Sequence, residues 1–188
     1  YVEVTSPLAT VTLAPMSEEP TVGISSDLTF AEDTTDRTVN GYTASSGDGV
    51  ALTNVTLSIA DSEAVTSANG KILIANTNDS ALSGVRVFVP DAVRNDGISV
   101  DPSGNAGEWT VTGATSISQL QSNLQQLQVL GPEDYAGAMK VTVSANAQEG
   151  VGVEASPYIS GSFTVNLAAA AEIPTLVVGN ISDAVEDV

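Results

Sequence analysis

The residues of this sequence best placed to do chemistry are its acids. Glu18 and Glu19 stand just before Pro20-Thr21, and Glu172 stands just before Pro174-Thr175. About a dozen residues beyond each Pro-Thr pair comes a second acidic knot: Glu32, Asp33 and Asp36 in the first case, Asp183, Glu186 and Asp187 in the second. Carboxylates gathered in this way suit Ca²⁺, which takes about six to eight oxygens at roughly 2.3–2.6 Å; Mg²⁺ demands a tighter octahedron and gives up its waters reluctantly. Ca²⁺ is therefore the expected ion, and solvated loop charge is the alternative. A further oxygen-rich run holds Asp91, Asn95, Asp96, Asp101, Asn105 and Glu108. It matches neither the helix-flanked calcium loop nor the Gly-Gly nonapeptide of a β-roll, so a bound ion and ordinary turn chemistry both stand as readings. Asp134, in the run PEDY, either donates to a downstream site or caps its own turn.

Other chemistries find little material. The chain has no Cys and no His. That removes a Cys/His zinc site, a thiol nucleophile and a Ser-His-Asp relay. A glycosidase-like pair could be drawn from 23 acids, but nothing in their spacing singles one out, and the expectation is a protein that is not an enzyme. With only 5 Lys and Arg the net charge is −18, a poor match for nucleic acid or anionic lipid. No apolar run reaches the roughly 18–20 residues of a membrane span, so no membrane insertion is expected.

The two acidic patterns belong to a longer self-similarity. Residues 10–34 (TVTLAPMSEEPTVGISSDLTFAEDT) and 164–188 (TVNLAAAAEIPTLVVGNISDAVEDV) align without a gap at an offset of 154, with nine of 25 pairs identical. A domain-sized period indicates a tandem array. The expected organisation is the last strand of one repeat and a linker over 1–19, a full repeat over 20–173, and the start of the next over 174–188. On that reading the sequence is a piece of a longer chain, and its acids cluster at junctions between adjacent repeats.

The elements that must position these acids are mostly strands. Val55–Ile59, Val85–Val89, Trp109–Val111, Met139–Val143 and Phe163–Leu167 each alternate apolar and polar residues, the pattern of half-buried antiparallel strands. Clusters at 45–49, 67–70, 76–80, 101–107 and 148–152 are rich in Gly, Asn, Asp and Ser and read as turns. One segment, SISQLQSNLQQLQVL at 116–130, has Ile117, Leu120, Leu124 and Leu127 at helical spacing. Ser116 with Gln119, or Ser118 with Gln121, offers a capping box. This predicts a short helix plugging the core of a sandwich. Trp109 reads as core, while Tyr42, Tyr135 and Tyr158 lie in turn-rich surroundings.

Taken in order, AEDT at 31–34, GEWTVT at 107–112, LQQLQVLGPEDYAGAMKVTVSANAQEG at 124–150 and the closing FTVNL…EIPTL resemble the tandem extracellular repeats of giant type I-secreted RTX (repeats-in-toxin) biofilm adhesins. The family's Pro-Pro-x-Asn-Phe-Ser-Gly element appears as Gly131-Pro-Glu-Asp134-Tyr135-Ala-Gly137, and its linker Asp as Glu18 or Glu19 and Glu172. Residues 60–104 match none of its motifs. The resemblance implies an all-β, immunoglobulin-like or cadherin-like antiparallel sandwich with one short helix, exposed on a bacterial cell surface. It implies the role of a Ca²⁺-stiffened extender that projects distal domains toward a host or biofilm ligand. The rival expectation is a module that itself binds glycan or peptide, or that associates with its own kind.

Overall fold

The computed structural model describes residues 16–31, 49–89, 99–132 and 135–169, with the backbone alone at Ala31 and at residues 99–102. Within them the chain forms β1 (Thr21–Ile24), β2 (Leu28–Ala31), β3 (Val50–Ala51), β4 (Val55–Ser58), β5 (Val65–Asn76), β6 (Arg86–Phe88), β7 (Ser99–Pro102), β8 (Glu108–Ala114), α1 (Ile117–Gln126), β9 (Gln128–Leu130), β10 (Gly137–Glu149) and β11 (Ile159–Ala168). The five segments expected from alternation all contain strands, and the fold is an all-β sandwich with one short helix.

One layer is a six-stranded sheet in the order β2-β11-β10-β5-β8-β7. Facing it are β1-β4 and β3-β9-β6, which share the segment 50–58 because β3 and β4 are separated only by Leu52–Asn54. Alternation sends Met139, Val141, Val143 and Ala145 of β10 and Phe163 and Val165 of β11 inward, against Val55, Leu57, Val87 and Val129 of the other layer. Each fully buried Val or Leu contributes about 1.5–3 kcal/mol relative to exposure. Among the described residues all strand pairs are antiparallel except one: β2 runs parallel to β11, from Leu28 beside Val165 to Ala31 beside Ala168.

That exception follows from a change of layer between β1 and β2. The crossing at Ser25–Asp27 is pinned at both sides. Asn54, itself buried, donates from Nδ2 to Ser26 O at 2.7 Å, and Ser25 N donates to Asn54 O at 3.1 Å. Asp27 Oδ1 accepts from Thr164 N at 2.7 Å, which occupies a β11 donor just before the β2 ladder begins.

The helix replaces a strand neighbour for β4. Ser116 is its N-cap, accepting from Gln119 N at 3.1 Å, while Gln119 Oε1 reaches back to Thr115 N at 2.9 Å, one residue beyond the N-cap amide that a true capping box engages. Ile117, Leu120 and Leu124 face the core, and Leu127 beyond the last turn is buried with them. On the flank toward β4, Gln121 Oε1 accepts from Leu57 N at 2.6 Å, and Gln125 Nε2 donates to Val55 O at 2.9 Å. Two side-chain amides one turn apart thus meet backbone groups that a missing strand would have met.

One expected turn is not a turn. The run SANG at 67–70 lies inside β5, which continues for 12 residues. The pairing with β8 slips between Ala68 and Gly70, and α1 crosses at that point. A Cβ on Gly70 would lie 3.3 Å from Leu120 Cδ1 and 3.5 Å from Leu124 Cδ2. The glycine admits the helix rather than bending the strand.

Candidate functional site

The described acids of the linker sit at one end of the sandwich, beside the β4–β5 and β10–β11 turns. Met16 forms a parallel bridge with Glu154 in the β10–β11 turn. Next to it Ser17 is buried and doubly held: its Oγ donates to Glu154 O at 2.8 Å and accepts from Glu149 N at 2.8 Å, and its own N donates to Glu154 O at 3.1 Å. Glu18 Oε2 accepts from Asp61 N at 3.1 Å in the β4–β5 turn. Residues 16–18 are therefore strapped across two turns before β1 starts. Asp61, Glu63, Glu149 and Glu154 belong to the same two turns and their flanks, so this leading pole gathers carboxylates from three separate segments.

Glu18 and Glu19 are exposed, and Glu149 is half-buried. One oxygen of Glu149, Oε1, is buried without a hydrogen-bond partner. A desolvated carboxylate oxygen is costly until a proton, a donor or a cation meets it. Among the described residues, no three acids come close enough together to hold a metal ion. Glu32, Asp33, Asp36, Asp91, Asp96, Asp134, Glu172, Asp183, Glu186 and Asp187 lie outside the described residues, as does Tyr42.

The internal oxygen-rich run resolves in part into turn chemistry. Asp101 lies in β7 opposite Thr110, and the loop beyond it closes a hairpin to β8. Ser103 N donates to Glu108 O at 3.0 Å, Glu108 N to Asn105 O at 3.2 Å, and Asn105 Nδ2 to Glu108 Oε1 at 3.2 Å. Hydrogen bonds from Ser103 and Asn105 hold the Glu108 carboxyl below its ordinary range, partly opposed by burial, with Lys71 Nζ adding attraction from 3.9 Å. Glu108 spends its oxygens on its own hairpin.

Comparison with family models, with curated proteins and with solved structures finds no match. The site is therefore read from its own geometry.

The described aromatic residues do not form a shared platform. Trp109 is half-buried and packed against the core, as is Tyr135, whose hydroxyl donates to Ala138 O at 3.0 Å. Tyr158 is exposed at the edge of the outer face, with Lys71 Nζ 4.8 Å from its ring centroid. That outer face is a field of hydroxyls: Thr142 bonds Ser162 at 2.8 Å and Ser144 bonds Ser160 at 2.7 Å. A shallow depression of about 430 Å³ along α1 is lined by Ser118, Gln119, Ser122, Asn123 and Gln126, all neutral.

Sequence reasoning passed over Ser17, Glu149 and Glu154. Glu154 contributes its backbone carbonyl, which no side-chain pattern can announce. Ser17 and Glu149 were detectable only as polar residues beside the linker acids and the 148–152 turn.

Proposed function

We propose that this chain is a spacer repeat of a large, type I-secreted bacterial cell-surface adhesin. The observation that carries the reading is where the chain meets the sandwich and where it leaves. The strap at Ser17 binds beside Glu149, at the last residue of β10. The chain leaves β11 at Ala168, next to Gly137 at the first residue of β10, through the pair Gly137–Leu167. A strand of 13 residues at about 3.3 Å each separates these points by about 40 Å. Copies joined through such points stack end to end, which is the geometry of a rod.

The sequence alignment adds the join itself. Ala168 corresponds to Ala14, so the final strand of a preceding copy would end two positions before Met16. The junction that results is short and densely acidic. Ca²⁺ bound there would offset carboxylate repulsion and stiffen the join, with Glu18 and Glu19 supplied by this linker and the knot equivalent to Glu32, Asp33 and Asp36 supplied by the preceding copy, because β2 carries each copy to Ala31 beside Ala168 at its trailing pole. Glu149, with its unpartnered oxygen at the same pole, suits such a neighbourhood. The partners are adjacent repeats, and contact with a surface ligand falls to distal domains. A glycan-binding role has less support, since the described aromatics are packed, paired or isolated.

Two measurements test the reading. Melting in EDTA, in CaCl₂ and in MgCl₂ should give a Ca²⁺-selective rise in Tm, since an ion held at 100 times its Kd adds about 2.7 kcal/mol. Small-angle scattering of two copies in tandem should show a maximum dimension about 40 Å longer than that of one, by the same strand arithmetic. A folded-back pair with little added length overturns the spacer role.

A further inference from the structure

The exposed apolar side chains of this protein are distributed unevenly. Five large ones stand out among the described residues: Met16 at 62% exposure, Phe30 at 39%, Leu73 at 40%, Val151 at 103% and Tyr158 at 39%. Met16 and Val151 share the leading pole, one bridged to Glu154 and the other at the tip of the turn that contains Glu154. Phe30 lies at the opposite, trailing pole, on β2 beside Leu167. Val151 stands at the turn between two glycines, Gly150 and Gly152, that both have positive φ, +76° and +85°. Those glycines satisfy the turn, and nothing in the turn requires an apolar residue between them.

We propose that the leading pole is a docking surface for the trailing pole of the preceding copy, with Met16 and Val151 as its apolar contacts and Phe30 on the opposing side. The inference rests on the spacer reading and adds a direct protein contact to the junction. Its occupant follows from reach. The position equivalent to Ala168 is Ala14, two residue-to-residue steps before Met16, and two steps span at most about 7 Å. The trailing pole of a preceding copy must therefore face this pole closely. The contact is head to tail, so it propagates along an array rather than closing on itself. A small patch suffices, because a short tether holds the two surfaces at an effective concentration on the order of millimolar. The remainder of the pole is acidic and repels, which leaves the apolar pair as the attractive part when no cation is bound.

The test uses two full copies in one chain, residues 1–168 followed directly by residues 15–188, with Thr112→Cys in each. The sequence has no other cysteine, so both spin labels are uniquely placed, and Thr112 is exposed on β8. Electron–electron distances measured in EDTA should show a narrow component. Val151→Asp in the second copy, or Phe30→Ser in the first, should abolish that component. Val151→Asp in the first copy, which has no docked neighbour, should leave it intact. A narrow component that survives second-copy Val151→Asp overturns the docking surface, as does equal loss from the first-copy variant. A broad distribution before any substitution also overturns it. A mean distance too short for end-to-end copies rejects the spacer reading itself.

Discussion

Gln121 and Gln125 do opposite jobs for β4, and replacing each by glutamate separates those jobs. Gln121 accepts from Leu57 N, a role a carboxylate also fills; Gln125 donates to Val55 O, a role it cannot fill. Both substitutions add the same charge to a chain already at −18, so general repulsion cancels in the comparison. Gln121→Glu should be near neutral at pH 7. Gln125→Glu should lose the hydrogen bond and set a carboxylate against the carbonyl of buried Val55, at a cost of about 1–3 kcal/mol. For a chain of this size that is about 2–4 °C in Tm per kcal/mol. Below about pH 4 the introduced acid is protonated and again has a donor, so the gap between the two variants should narrow there. The assay is thermal unfolding followed by circular dichroism at pH 7 and pH 3.5, each variant beside the parent. Equal losses at pH 7, or no loss in either, would refute the view that these amides stand in for a strand.

Other consequences follow from single positions. Gly107→Ala should cost more than Gly104→Ala, although both glycines have positive φ: a Cβ at 107 would lie 2.6 Å from Ile74 O, and one at 104 meets nothing within 4 Å. Left-handed strain alone is worth about 1–2 kcal/mol, and the larger loss at 107 should appear in denaturant titrations. Ser17→Ala removes both hydroxyl bonds of the strap, leaving the backbone bond from Ser17 N to Glu154 O, and should raise the hydrogen-exchange rate of the Glu149 amide while leaving the amides of β5 and of the middle of β10 protected. Glu108, its pKa lowered by Ser103, Asn105 and Lys71, contributes stability that is present above the unfolded carboxylate pKa and is lost as pH falls through the folded value. Tyr158 has its pKa raised, first by burial and then by Glu108, so the fold should lose stability as pH climbs past the ordinary tyrosine range. Melting points of the parent, Glu108→Gln and Tyr158→Phe across pH 3–11 check both signs.

How much of this was legible beforehand depended on whether a residue's role was local. Strands β4, β6, β8, β10 and β11 show in the sequence because each turns alternate apolar residues toward the core. The helix shows because Leu120 and Leu124 must share a side. The SANG run misled because glycine marks a close approach as well as a bend, and the object approaching Gly70 is a helix nearly fifty residues later in the chain. Gln121 stands out only as a candidate capping partner of Ser118, and Gln125 not at all, since a side chain's hydrogen-bond partner in another element leaves no periodic trace. The parallel β2 is only four residues long, too short for any pattern to reveal its direction. Of the acids, Glu18 shows why composition is insufficient: its carboxylate holds a backbone N–H in a neighbouring turn, whatever else it binds.

The strap also divides the two aligned stretches in a way their shared acids conceal. At the offset of 154, Glu18 is matched by Glu172 and Pro20 by Pro174, but Ser17 is matched by Ala171 and Met16 by Ala170. The acids recur, while the clamp and the exposed methionine do not. If ions stiffen every junction of an array through the recurring acids, the junction beginning at Met16 has two further supports that its successor lacks. The two should then respond unequally to chelation. In a chain carrying both junctions between full copies, EDTA should loosen the one at 170–174 more than the one at 16–20. Ala171→Ser should recover part of the difference, since it restores a hydroxyl where the strap requires one. Limited proteolysis across both linkers reads this directly. Equal cleavage in EDTA would mean that the hydrogen bonds of Ser17 secure the linker to its own domain without restraining the one before it.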